Sequence, residues 1–111
     1  MVHPSRFSCI DACNACADAC DLCASSCLQE EDVRALARCV ALDIDCAAIC
    51  RLVAGYVSRD SAFSEALCQL CPHVCLLCAE ECSKHNTEHC QQCAHACRRC
   101  ADACRQVMAH A

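Results

Sequence analysis

The chain has 111 residues, enough for one domain and too few for two ordinary ones. Its formal charge is −5, with 14 acids against 9 lysines and arginines and no basic cluster beyond Arg98-Arg99, which argues against a nucleic-acid partner. A single glycine, two prolines and no tryptophan beside 20 alanines leave few turn or strand formers, so the chain reads as all-α.

The N-terminal stretch MVHPSRFSCIDAC has no apolar h-region and no small-residue cleavage site. No apolar run approaches the roughly 18–20 residues that span a bilayer. The expectation is a cytoplasmic protein without a membrane partner, in a compartment that keeps thiols reduced.

The first predicted helix covers 6–28, where Cys9, Cys13, Cys16, Cys20, Cys23 and Cys27 step by alternating fours and threes. That alternation is the inward seam of a heptad. Gln29-Glu30-Glu31-Asp32 then supplies acids for the positive end of a second helix, expected over 32–57. Its seam runs Leu36, Cys39, Asp43, Cys46, Cys50, Val53 and Val57, with only three thiols. Ser58-Arg59-Asp60-Ser61 offers caps for a third helix over 61–83, lined by Cys68, Cys71, Cys75, Cys78 and Cys82. Pro72 lies inside it and is expected to kink it without ending it, because the cysteine period continues. After Ser83-Lys84-His85-Asn86-Thr87 comes a fourth helix over 87–108, with Cys90, Cys93, Cys97, Cys100 and Cys104.

Short connections between helices on the order of 35 Å long, at about 1.5 Å per residue, force antiparallel neighbours. The prediction is one domain over residues 1–111, an up-down-up-down four-helix bundle with a cysteine-lined core.

Nineteen cysteines need an explanation, since leucine is the usual seam residue. The apolar set otherwise contains only 24 large side chains, so the thiols must themselves be core material. Disulfides are disfavoured by the odd count, by the reducing compartment and by the parallel Cβ vectors of cysteines on one helix. Inert filler fails because thiols in place of leucines at three whole seams give up core volume without return.

Metal remains. Pairs at i, i+4 recur at 9/13, 16/20, 23/27, 46/50, 71/75, 78/82, 93/97 and 100/104. Such neighbours have Cβ atoms about 5–6 Å apart. A linear S–metal–S unit needs sulfurs about 4–5 Å apart, so each pair can hold one ion. Zinc prefers four ligands, commonly from paired knuckles on turns, and none is visible; Cu(I) accepts two or three soft thiolates. About one monovalent ion per thiolate would also bring a buried thiolate core near neutrality, with protons released on binding. Two other readings stay open: a metallothionein-like zinc or cadmium buffer, and a redox or iron–sulfur protein. No nucleophile–base–orienter set is recognisable, so no enzyme activity is expected.

The CxxxC pairs, the sparser CVALDIDCAAIC and the joining EECSKHNTEHC resemble the bacterial cytosolic copper storage proteins over about Cys9 to Cys104. The resemblance implies a four-helix bundle that stores many Cu(I) ions on its core cysteines. It also implies a homo-oligomer, a tetramer.

Six histidines are then sorted. His73 and His95 fall at outward positions and read as solvated surface. His85 and His89 flank the last connection beside Cys82 and Cys90, as candidates to complete copper sites or to admit metal. His3, His110 and Met108 are expected to gather at the opposite end, as frayed termini rather than an entry funnel. Asp43, inward between Cys39 and Cys46, is a candidate carboxylate ligand or acceptor for a thiol. On the second helix Val40, Leu42, Ile44, Ile49 and Leu52 lie off the seam and predict a subunit contact.

Overall fold

The structure is a computed structural model and describes residues 2–110. Four helices run in order: α1 (Pro4–Cys27), α2 (Ala37–Ser58), α3 (Ser64–Ser83) and α4 (Glu88–Ala109). Each packs on two others, α1 on α2 and α4, α3 on α2 and α4, around an elongated body of 50 × 18 × 17 Å. This is the antiparallel bundle that the cysteine periods require.

The helix ends differ from the sequence expectations for local reasons. Helix α1 starts at Pro4, not at residue 6, because proline suits the first helical turn and the His3 side chain caps it, accepting from the Ser5 N–H at 3.1 Å. The second helix does not start at residue 32: Val33–Leu36 form a 3₁₀ turn, and α2 follows from Ala37. Asp32 makes no side-chain cap, and the tighter turn tucks Leu36 into the core.

Helix α3 starts at Ser64, not 61. Asp60 adopts a positive φ of 54°, and Ser61 Oγ accepts from the Phe63 N–H within a turn instead of capping a helix. Thr87 caps α4 by accepting from the Cys90 N–H at 3.3 Å, so the helix runs 88–109. Helix α3 continues through Pro72, which lacks the N–H that would pair with the Cys68 carbonyl.

All 19 cysteines are buried, none more than 1% exposed, and all are free thiols. Buried alanines flank them on every helix, among them Ala17, Ala47, Ala79 and Ala101, and let the helices approach closely. The thiols displace the larger side chains outward. Leu22, Leu76 and Leu77 are exposed, a reversal of ordinary bundle patterning. Of the off-seam residues on α2, Val40, Leu42 and Ile49 pack against the core, and only Ile44 and Leu52 stay exposed. The face left unpartnered on α2 is therefore narrower than the sequence suggested. Among the described residues, no helix is long and apolar enough to cross a membrane.

Candidate metal centre

The inward sulfurs form one continuous column. Seven of the eight i, i+4 pairs lie in direct sulfur contact: 9/13 at 3.9 Å, 16/20 at 4.0, 23/27 at 3.8, 46/50 at 3.9, 71/75 at 3.7, 78/82 at 4.0 and 93/97 at 4.0. The eighth, Cys100 and Cys104, lies within 4.8 Å. These separations follow from the helix repeat, which stacks such side chains on one face.

Contacts between helices are as close. Cys39 meets Cys82 at 3.1 Å, Cys13 meets Cys100 at 3.4, Cys16 meets Cys97 at 3.6, Cys20 meets Cys93 at 3.6 and Cys50 meets Cys100 at 3.7. A site therefore draws on several helices, not on one CxxxC pair alone as the linear unit assumed. Quartets with all sulfurs within 4.8 Å include Cys13, Cys71, Cys100 and Cys104; Cys16, Cys46, Cys50 and Cys75; and Cys23, Cys27, Cys39 and Cys90.

The quartets also share members. Cys16 and Cys46 recur with Cys20 and Cys97, and Cys20 and Cys97 recur with Cys78 and Cys93. Such overlap favours thiolates that bridge neighbouring ions over a set of isolated four-ligand sites. At metal–sulfur bonds of about 2.3 Å, three thiolates around one ion stand about 4 Å apart. The sulfurs are already near that spacing.

Asp43 sets a carboxylate beside the sulfur column. It is fully buried, and its Oδ1 accepts from Cys93 at 3.1 Å, Cys78 at 3.2 and Cys82 at 3.5, with Oδ2 accepting from Cys39 at 3.8. Burial first, then charge on Cys93, pushes its carboxyl up to about 8. Burial likewise raises Cys27 and Cys90 above the ordinary thiol value. Where thiols surround one sulfur, their donors favour its ionised form: Cys23 and Cys82 bring Cys39 down to about 3, against burial. The column thus holds mostly protonated thiols, with preferred positions for the first negative charge.

The end of the bundle at the α3–α4 connection carries imidazole. His89 Nδ1 lies 3.6 Å from the sulfur of Cys90, 3.7 from Cys23 and 3.8 from Cys27, while Nε2 pairs with Glu30 Oε1 at 3.1 Å. His85 turns the other way. Its Nε2 meets Glu81 Oε2 at 2.9 Å, in an ion cluster with Arg38 and Lys84, and the structure brings it to no thiol. Sequence reasoning missed Glu81 and Glu30. The Glu81–His85 spacing of four was the one available signal; the Glu30–His89 contact spans distant positions. His73 and His95 are exposed, as their heptad positions require.

A family model for copper storage proteins matches residues 2–109. The chain belongs to the copper storage protein family. A Bacillus subtilis (strain 168) relative, the uncharacterized cysteine-rich protein YhjQ, is 43% identical over 82 residues, covering 74% of this chain and 76% of the relative. Among solved structures, the Cu(I)-bound copper storage protein BsCsp3 superposes with a TM-score of 0.88 at 42% identity, over 92% of this chain and 96% of that one. A cytosolic copper storage protein from Streptomyces lividans, described with five coppers, superposes at 0.92 with 39% identity, over 96% and 93%. The copper storage fold, a four-helix bundle with a cysteine-rich interior, is thus shared along nearly the whole chain.

Proposed function

We propose that this chain is a cytosolic store for Cu(I), holding many ions per chain on the thiolates of its 19 core cysteines. The observation that carries the reading is the unbroken column of buried, unoxidised, mutually touching thiols, whose quartets overlap so that ions must share ligands. Soft thiolates in sets of two to four suit Cu(I), and a monovalent ion balances one thiolate without leaving net charge in the core. Relatives described with Cu(I), with five coppers and with ten copper equivalents support the same reading.

All 19 cysteines, from Cys9 to Cys104, are the proposed ligands. His89 is proposed as a further ligand at the column's end, and Asp43 as the hydrogen-bond partner of the thiols around it. His85, paired with Glu81, is proposed to act only by orienting that end. The reading requires no catalytic step, only uptake, retention and release. One domain spanning residues 1–111 accounts for all of it. Self-association, a tetramer in the family's manner, is proposed to use α2, where Ile44 is 56% and Leu52 47% exposed. An Ile44→Glu variant that leaves the size-exclusion volume unchanged would remove α2 from the interface.

The test of storage is an anaerobic titration of the reduced apoprotein with Cu(I) against a competing chelator. The expected result is well over ten ions per chain with the helical circular dichroism retained. Saturation at a few ions, or collapse of the helical signal, would overturn it. Tight zinc binding at about one ion per four thiolates, resistant to Cu(I), would favour a zinc buffer on the quartets instead.

A further inference from the structure

We propose that the end of the bundle where α1 begins and α4 finishes is a second Cu(I) exchange port, built from His3, His110 and Met108 above Cys68. The proposal rests on the storage reading and adds to it a site at the end remote from His89.

The residues converge on one cavity of about 410 Å³, lined by His3, His110, Met108 and Cys68. Two further surface cavities touch no cysteine. At this mouth the rings of His3 and His110 stack with centroids 4.0 Å apart and planes 16° apart. Both histidines are exposed, Met108 is half-buried and Cys68 is 1% exposed. From solvent inward the order is imidazole, thioether, thiol. All three are ligand types that Cu(I) accepts.

The hydrogen bonding allows His3 to present a free nitrogen. Its Nδ1 lies 3.1 Å from the Ser5 N–H and 2.9 Å from Ser5 Oγ. In one tautomer Nδ1 accepts the N–H and caps α1. In the other, Nδ1–H donates to Ser5 Oγ, which frees the Nε2 lone pair and orients the ring, as metal-bound imidazoles generally require. His110 is exposed to solvent and stacks on His3. The stacked rings hold their in-plane lone pairs side by side, so the two imidazoles bind one ion together only on unstacking.

Below the mouth the thiols lead on toward the store. Cys68 neighbours Cys104 and Cys9, the two thiols that act most strongly on its own. Cys9 and Cys104 lie 3.8 Å apart, Cys104 and Cys13 lie 3.8 Å apart, and Cys13 reaches Cys100 at 3.4 Å. An ion can therefore pass by ligand exchange, each new thiolate bonding before the last is released. The charged groups at the mouth do not compete: the Arg6 guanidinium donates to the Val57 carbonyl at 2.8 Å, and Asp60 and Glu65 offer hard carboxylate oxygens. Without this port, ions held at Cys9 and Cys104 would have to traverse most of a 50 Å body past Asp43 to leave by His89.

The test loads the whole protein with Cu(I) and follows removal by a high-affinity Cu(I) chelator in excess. Wild type is compared with His3→Asn/His110→Gln, with Met108→Leu, with His89→Ala, and with His3→Asn/His110→Gln in the His89→Ala background. Asparagine keeps the cap of α1, so fraying is not introduced with the loss of imidazole. The expected result is removal at least threefold slower in His3→Asn/His110→Gln, a smaller slowing in Met108→Leu, and the deepest slowing in the combined variant. Unchanged or faster removal in both backgrounds would overturn the port, faster removal being the signature of a merely structural plug. Failure of storage itself reads out separately, as a low Cu(I) count in wild type before any chelator is added.

Discussion

Asp43 Oδ1 accepts from Cys93 Sγ at 3.1 Å across the interior between α2 and α4, in a position with no solvent access. A buried carboxyl among thiols has consequences for the metal-free protein. It holds its proton up to about pH 8 in the fold, and releases it near pH 4 when unfolded. Between those values the unfolded state binds fewer protons, so stability is fully present below about pH 4 and falls as pH rises toward 8. Chemical denaturation of reduced apoprotein should show a loss on the order of a few kcal/mol across this window. Asp43→Asn should flatten the dependence and be the more stable protein at pH 8. Parallel profiles for the two proteins would show that Asp43 does not carry the effect.

Ligand sharing makes the cost of removing a cysteine depend on its place. Cys46 touches Cys16, Cys50, Cys75 and Cys97, and belongs to overlapping quartets in mid-column. Cys68 stands at one end. Cys46→Ser should lower Cu(I) capacity by more than one ion and broaden the release kinetics, whereas Cys68→Ser should remove at most about one. Equal losses, read from chelator-backed titrations, would argue for separate sites instead of bridged ones.

The cysteine period carried the architecture because it is redundant: three helices repeat the same seam, and α2 keeps its phase with Asp43 and the valines even where thiols are missing. The inward set, Asp43 included, was legible for that reason. Helix ends were not, because they turn on single contacts such as Ser61 serving a turn and Val33–Leu36 tightening to 3₁₀. The quartets were invisible as well. Heptad phase says which side chains face inward but not the rotation and level of each helix against its neighbours, and those decide that Cys16 meets Cys46 and Cys97. His85 and His89 looked equivalent in sequence, and only the turn's geometry separates them.

Burial of protonated thiols sets the pH response of metal uptake. Cys27 and Cys90 are raised by burial, and Cys68 reaches about 12, with Cys9 and burial outweighing the lowering pull of Cys104, its largest single influence. At neutral pH a Cu(I) ion that binds such a thiol therefore displaces about one proton. Indicator dye in weak buffer should record close to one proton released per Cu(I) through most of the titration. Apparent affinity should rise about tenfold per pH unit for each proton displaced. Proton release well below this from the first ions would place the early charge on thiols already ionised, among them Cys39, Cys46, Cys93 and Cys100.

His85 and His89 provide a matched pair for separating metal contact from structural support. His89 Nδ1 sits against the sulfurs of Cys23, Cys27 and Cys90, with Glu30 holding Nε2. That bond leaves Nδ1 the nitrogen facing the thiols, where it can accept a thiol hydrogen bond or join an ion. His85 instead closes a contact with Glu81 on the rim. His89→Ala should slow Cu(I) uptake several-fold at low metal and shift the absorption of the first-bound ions. His85→Ala should leave both near wild type and cost at most about 1 kcal/mol of stability, the range of a rim ion pair. Rapid-mixing measurements on the two variants decide the matter. If His85→Ala slowed uptake as much as His89→Ala, the rim cluster of Glu81, Arg38 and Lys84 would have to act on the entering ion, and direct thiol contact would not be what admits copper.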